Sequence, residues 1–232
     1  MQRILTVVIL AWVAMSGMAR ADGGPVVVEL FTSQGCSSCP PVDEMMADLA
    51  KRDDVIPLAL HVDYWDYIGW KDVFADPAFT RRQKAYARAA GSRSIYTPQI
   101  VVGGQDHVVG YQPMDVARLI QAHHGLHSPV TLNMTRDGDQ ITITAQSDTV
   151  FDEDAVLQIV RYMPEQVMEI KRGENAGRTL RYTNIVDAWK AVARWDGSAP
   201  LIVTVEAEGQ EPIVAIIQRA GPGPIIAAAR LR

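Results

Sequence analysis

Both cysteines of the chain lie in one segment, Cys36-Ser37-Ser38-Cys39. Two thiols two residues apart can cycle between dithiol and disulfide, and the thiolate of one can attack a disulfide on another molecule. As a staple the pair is weak. A loop of about four residues stabilises by roughly 2 kcal/mol, against about 4 kcal/mol for a loop of about 60 residues. In an exchange reaction Cys36, expected to be the more exposed, would attack, and Cys39 would resolve the mixed disulfide. Two other chemistries stay open. One is an inert structural bridge in an interaction protein. The other is a copper or zinc site, or metallochaperone module, on Cys36, Cys39 and the imidazole of His61, since thiolate and imidazole suit both metals.

Other candidates are weaker. His123 and His127 have helical i,i+4 spacing with His124 between, but Gly125 and Pro129 break a helix there, so a solvated helix end is expected. Asp63 and Asp66 are two carboxylates without further ligands. Gly173-Glu174-Asn175-Ala176-Gly177-Arg178 lacks the Gly-Lys-Ser/Thr of a phosphate loop and reads as a surface loop, with Lys171, Arg172 and Arg181 close by. No serine has a base and an acid arranged around it in the pattern of a hydrolase.

The elements that must position the cysteines are legible from periodicity. Val26 to Phe31 is a short apolar run, typical of a strand buried on both faces. Pro41 to Ala50 has Val42, Met45, Met46 and Leu49 at helical spacing, so the cysteines fall between strand and helix. Pro40-Pro41 implies that the helix begins there, with the cysteines in the approach turn. A helix N-terminus offers free N–H donors and a positive dipole end that favour thiolate. Val55 to Val62 is a second strand. Asp76-Pro77 caps a helix that Gly91 stops, and Pro113 opens another. Pro98 to Val102 and His107 to Val109 form a hairpin around Gly103-Gly104. From Val130 the pattern alternates with period two, and Val130–Thr135 with Ile141–Ala145, Val156–Tyr162, Leu201–Ala207 and Pro212–Gln218 read as strands of a small sandwich. The alanine-rich tail from Ile225 has no assignment.

The chain has 232 residues, 48% hydrophobic and 21% charged, with a formal charge of −5. That composition is globular, and the acidic balance argues against nucleic acid. Arg3, the apolar run Ile4–Met15 and Ala19-Arg20-Ala21 form a secretory leader with cleavage expected after Ala21. Removing Arg3 and Arg20 takes the charge from −5 to −7. The run is too short to span a bilayer, which needs roughly 20 residues. The expectation is an exported, periplasmic or secreted protein without a stable membrane anchor, in a compartment where disulfides persist. Its parts are a leader (1–21), an α/β domain (22–127) and a β-rich domain (128–232).

Phe31-Thr32-Ser33-Gln34-Gly35-Cys36-Ser37-Ser38-Cys39 resembles the thioredoxin active-site segment, and Ile95-Tyr96-Thr97-Pro98-Gln99 resembles the thioredoxin strand that begins with a cis-proline. The resemblance implies a thioredoxin-like α/β fold in which Pro98 faces the cysteines and the Thr97 backbone pairs with a substrate strand. Gly35 stands where thioredoxins carry tryptophan. Leu30 stands where they carry a buried acid, and Glu29 is one position off, which leaves the base for Cys39 unassigned. An insertion, 63–92, carries Tyr64, Trp65, Tyr67, Trp70, Phe74, Phe79 and Tyr86. These aromatics either pack the insert onto the sheet, the favoured reading, or form a partner surface in which Trp65 and Trp70 contact substrate. Together with H-V-D-Y-W-D-Y-I-G-W and G-E-N-A-G-R-T-L, the motifs resemble the bacterial family called domain of unknown function 1223 over nearly the whole mature chain. The activity implied is thiol–disulfide exchange with protein thiols or a redox partner protein, without a cofactor.

Overall fold

The computed structural model describes residues 24–232, so the expected leader lies outside the described residues. The fold is mixed α/β, one large and mostly β sheet with few helices. The first half runs β1 (Val26–Thr32), α1 (Pro40–Leu49), β2 (Val55–His61), a 3-10 turn (Asp66–Ile68), α2 (Pro77–Ala89), β3 (Gln99–Val102), β4 (Asp106–Val109) and α3 (Pro113–His124). The second half is β5 (Val130–Asp137), β6 (Gln140–Ser147), β7 (Ala155–Glu169), β8 (Thr179–Trp195), β9 (Leu201–Glu206), β10 (Ile213–Arg219) and β11 (Ile225–Leu231).

Eight strands form one sheet in the order β11-β10-β7-β8-β2-β1-β3-β4, and β5-β6-β9 form a second sheet of three. The two halves of the chain thus share a sheet. Its first-half core is β1 parallel to β2 and antiparallel to β3. The halves meet where β8 runs parallel to β2 through one ladder pair, Ala59 with Ile185.

β1 is buried along its whole length because both of its faces are covered. Val28 and Leu30 pack against Val42 and Met46 of α1 and Val116 and Ile120 of α3. Val27 and Phe31 point the other way, toward Phe79 and Tyr86 of α2. Proline opens all three helices, and the Asp76 carboxylate caps α2 by accepting from the Ala78 amide at 2.6 Å. A separate apolar cluster fills the space between the three-stranded sheet and β7, β8, β10 and β11, with Ile141, Ile143, Leu157, Ala215 and Ile217 at its centre. Two strands escape the sequence reading, β8 with its 17 residues and β11 in the alanine-rich tail.

Glu29 lies on the α2 face of β1, fully buried, and its carboxylate takes two bonds from Arg82 at 2.6 and 2.9 Å. The same guanidinium donates to Gln218 of β10 at 3.1 Å and stacks 3.8 Å from the Trp189 ring centroid on β8. One cation therefore ties α2 to strands from both halves. Removing one partner of a buried pair strands the other charge. Arg82→Leu is expected to cost about 3–5 kcal/mol, read as a lower midpoint in urea unfolding. The double variant with Glu29→Gln should recover part of that loss. An unchanged midpoint for Arg82→Leu would mean that the pair does not hold α2 in place.

Candidate functional site

Beyond Thr32 the chain leaves the sheet and makes a tight turn. The Cys36 amide donates to the Ser33 carbonyl at 3.1 Å, and the Gly35 amide to the Ser33 hydroxyl at 3.1 Å. Cys39 caps α1 with helical dihedrals (φ −77°, ψ −37°), and Pro40 follows as the first helical residue. The two cysteines are joined as a disulfide across this strand-to-helix junction. Ser37 and Ser38 are exposed, but Cys36 and Cys39 are both 0% accessible. The expectation that Cys36 is the more exposed is therefore corrected.

Part of the cover comes from the second half. Between β7 and β8, residues 171–178 fold back over the cysteine turn, closed by bonds from the Gly177 amide to the Ile170 carbonyl (2.7 Å) and from the Arg178 amide to the Asn175 carbonyl (3.1 Å). The Asn175 side chain is buried and donates to the carbonyls of both Gln34 and Cys36, each at 2.9 Å. Arg178 orients that amide by donating to its oxygen at 3.0 Å. The Ser37 amide donates to the Glu174 carboxylate at 3.2 Å. Gly173 adopts φ +77° with Trp70 directly against it, where a β carbon would lie 3.3 Å from that of Trp70. The segment is the surface loop expected, most of its residues being exposed, and through Asn175 and Glu174 it also bonds to the cysteine turn. Its glycine-bracketed, polar sequence was the available signal, but its contact lies about 140 residues away in the chain.

The other sequence candidates gather around the same turn. The Thr97-Pro98 bond is cis, and Pro98 is buried at the start of β3. The β1–β3 register pairs Phe31 with Gln99, so Pro98 stands one step further toward the cysteine turn. The indole of Trp65 donates to the Thr97 hydroxyl at 2.7 Å, and that of Trp70 to the Gln34 side chain at 2.7 Å. Both tryptophans are half-buried and brace the site. Tyr67, by contrast, is 81% exposed. Gly35 follows from the same packing, because a β carbon there would meet Ile68 at 3.0 Å and Trp65 at 3.2 Å.

Beneath the turn lies a buried polar cluster. The α1-facing sides of β1 and β2 present Thr32 and His61, which are ladder partners. His61 is held by Asp72, Nδ1 to Oδ2 at 2.7 Å, and wedged between Phe74 and Tyr182 with ring centroids 5.3 and 4.9 Å away. The Gln34 amide donates to the same Asp72 oxygen at 2.8 Å. Asp43, on the first turn of α1, is buried, and neither of its oxygens makes a well-formed hydrogen bond. Burial pushes its carboxyl up to about 7, against the opposing pull of His61 and the Thr32 hydroxyl. Burial likewise drives the Tyr182 phenol far above its usual range. Sequence reasoning passed over Asp43 and Asp72, and it named Asn175 only as part of a surface loop. Asp43 was the one with a local signal, four residues after Cys39.

The remaining candidates serve the fold. Asp63 accepts from the Thr80 hydroxyl at 2.5 Å, and Asp66 from the Asp72 amide at 3.1 Å. His123 is not the solvated helix end expected. Its ring pairs with Asp106 at 2.7 Å and packs onto Gly103, where any β carbon would collide with it. No group of three or more His, Cys, Asp and Glu side chains able to hold a metal ion occurs among the described residues; of the alternative set, Cys36 and Cys39 are bonded to each other and His61 to Asp72.

The family model described as protein of unknown function (DUF1223) matches residues 27–218. No curated protein matches the chain. The crystal structure of protein AGR_C_4864 from Agrobacterium tumefaciens is similar over 90% of this chain and 94% of its own, at 32% identity and a TM-score of 0.77. HBP35 of Porphyromonas gingivalis shares the fold at 16% identity and a TM-score of 0.64, over 90% of this chain and 75% of its own. The cysteine turn, Pro98 and the 171–178 loop all fall inside the matched span, and the chain belongs to the DUF1223 family.

Proposed function

We propose that this chain is an exported thiol–disulfide oxidoreductase, built on a thioredoxin-like unit in its first half, that exchanges electrons with protein thiols through Cys36 and Cys39. The observation that carries the reading is the cysteine pair in disulfide form at a strand-to-helix junction, with the cis proline of the neighbouring strand opposite the end of β1 from which the cysteine turn departs. Cys36 is the attacking sulfur and Cys39 the resolving one, with Thr97 offering its backbone to a substrate strand. Residues 128–232 act as a β-rich partner domain that covers the pair. Because both sulfurs are buried, displacement of the 171–178 loop precedes exchange.

A Cys39→Ala variant produced in cells is expected to accumulate mixed disulfides on Cys36 that a reductant releases. Their complete absence, with Cys36 open to alkylation, would leave the disulfide as a structural bridge and refute exchange. Separately, Asn175→Ala removes two neutral hydrogen bonds worth about 1 kcal/mol each. The open state should gain roughly 10–30-fold in population, since about 1.4 kcal/mol is a factor of ten. Dithiothreitol should then reduce the Cys36–Cys39 disulfide about that much faster, followed by quenched alkylation and mass spectrometry. An unchanged rate would show that the loop does not govern access.

A further inference from the structure

Asp43 is an unusual group to bury. A carboxyl removed from water without good hydrogen bonds costs stability, and such groups persist where they do chemistry. Its position is specific. Cys39 already has helical dihedrals, so Asp43 is its i+4 neighbour on one face of α1, and helical geometry sets β carbons at that spacing about 5–6 Å apart. The Asp43 amide donates to the Cys39 carbonyl at 3.1 Å. Side chains on a helix lean toward its N-terminus, which tilts the Asp43 carboxyl toward Cys39.

We propose that Asp43 is the proton acceptor and donor for Cys39 during disulfide exchange. The inference rests on the exchange reading above and names the base that β1 lacks, since Leu30 faces α1 and Glu29 is committed to Arg82 on the opposite face. When a mixed disulfide on Cys36 resolves, the Cys39 thiol gives its proton to the Asp43 carboxylate. The Cys39 sulfur bonds to that of Cys36, and the bond from Cys36 to the substrate sulfur breaks. The substrate leaves as thiolate with the electron pair and is protonated by solvent, so the cysteine pair is oxidised and the substrate reduced. In the reverse direction Cys39 is the leaving sulfur, and the Asp43 acid protonates it.

The groups facing Asp43 set its balance. Thr32 from β1 and His61 from β2 favour the carboxylate, while Asp72 and Glu44 favour the acid. Tyr182 from β8 brings a phenol to the same pocket, and Arg178 bears on that phenol. Burial dominates and holds the carboxyl at about 7, where it both takes and gives a proton near neutrality.

The test separates the two cysteines. In reduced Cys36→Ser protein, the pH profile of Cys39 alkylation by iodoacetamide should show two inflections, because thiol and carboxyl titrate as a coupled pair. Adding Asp43→Asn should leave one. In otherwise wild-type protein, Asp43→Asn should slow resolution of a glutathione mixed disulfide on Cys36 at least tenfold at pH 7. Cys36 alkylation in a Cys39→Ser background should stay within twofold. Asp43→Leu gives a second variant of similar size, so the comparison stands if one of them fails to fold. The folded protein holds the Asp43 proton to higher pH than the unfolded chain, so the contribution of this group to stability falls as pH rises from about 4 to about 7. Asp43→Asn should remove that slope. A single inflection with Asp43 in place, or resolution within twofold after Asp43→Asn, would overturn the proposal. If oxidised glutathione does not oxidise the reduced wild-type cysteine pair, and none is trapped on Cys36 in the Cys39→Ser variant, the exchange reading fails on its own account. The alkylation profile then still decides whether Asp43 and Cys39 are coupled.

Discussion

The seam between β8 and β2 decides what this molecule can do. It consists of one ladder pair, Ala59 with Ile185, and one side-chain bond, from the Asn184 amide to the Pro57 carbonyl at 2.8 Å. Pro57 has no N–H to offer a neighbouring strand, so a regular ladder cannot continue past it. Asn184 takes a left-handed backbone conformation (φ 51°), one that asparagine tolerates better than most residues, and meets the Pro57 carbonyl with its side chain. That local solution docks a hairpin of 15- and 17-residue strands onto the edge of the first-half sheet. The tip of the hairpin then falls over the cysteine turn. Burial of the sulfurs, the bracing by Trp70 and the placement of Tyr182 beside His61 all follow from it.

Magnitudes separate the part of this hairpin that stays from the part that can lift. Near the tip, Ile170, Leu180, Tyr182 and Ile185 bury apolar surface against Trp70, Phe74, Met163 and Met168. Fully burying such side chains is worth about 1.5–3 kcal/mol each. The loop itself holds to the cysteine turn mainly through hydrogen bonds from Asn175 and to Glu174, each worth about 1 kcal/mol net. Gly173 and Gly177 bracket it with left-handed backbone. The hydrogen-bonded loop is thus held more weakly than the apolar base of the hairpin beneath it.

Local chemistry was the part of this architecture written plainly in the sequence. Proline openings, the Asp76 cap and the Gly103-Gly104 turn depend on near neighbours, and they fall where periodicity and turn residues put them, whereas the cis Thr97-Pro98 bond is legible only through the resemblance of its motif. What escaped depends on distant packing. β8 carries bulges opposite Leu157/Gln158 and Arg161/Tyr162 that break its alternation, and its exposed arm bears charges, so no period stands out. β11 is a strand because β10 pairs along it, not because alanine prefers strands. Cys36 looked exposed because a turn residue usually is, but residues distant in the chain pack on the turn, Ile68 and Trp65 against Gly35 and Asn175 on the Cys36 carbonyl. His123 looked solvated because its acceptor and the glycine that admits it lie on the β3–β4 hairpin.

The two buried carboxylates show how the same sheet treats charge differently on its two faces. On the α2 side, Glu29 is fully paired, with two bonds from Arg82 and another from the Tyr86 hydroxyl. Any change of its protonation would break a network that spans both halves, and so Glu29 works as structure. On the α1 side, Asp43 has no cation bonded to it, only the dipoles and imidazole of its pocket, and it sits one helical turn from a cysteine. Burial without pairing raises its affinity for a proton while leaving that proton free to move. On the α1 side the carboxyl one helical turn from Cys39 comes from the helix and not from β1, and burial, with no ion pair, sets its hold on a proton.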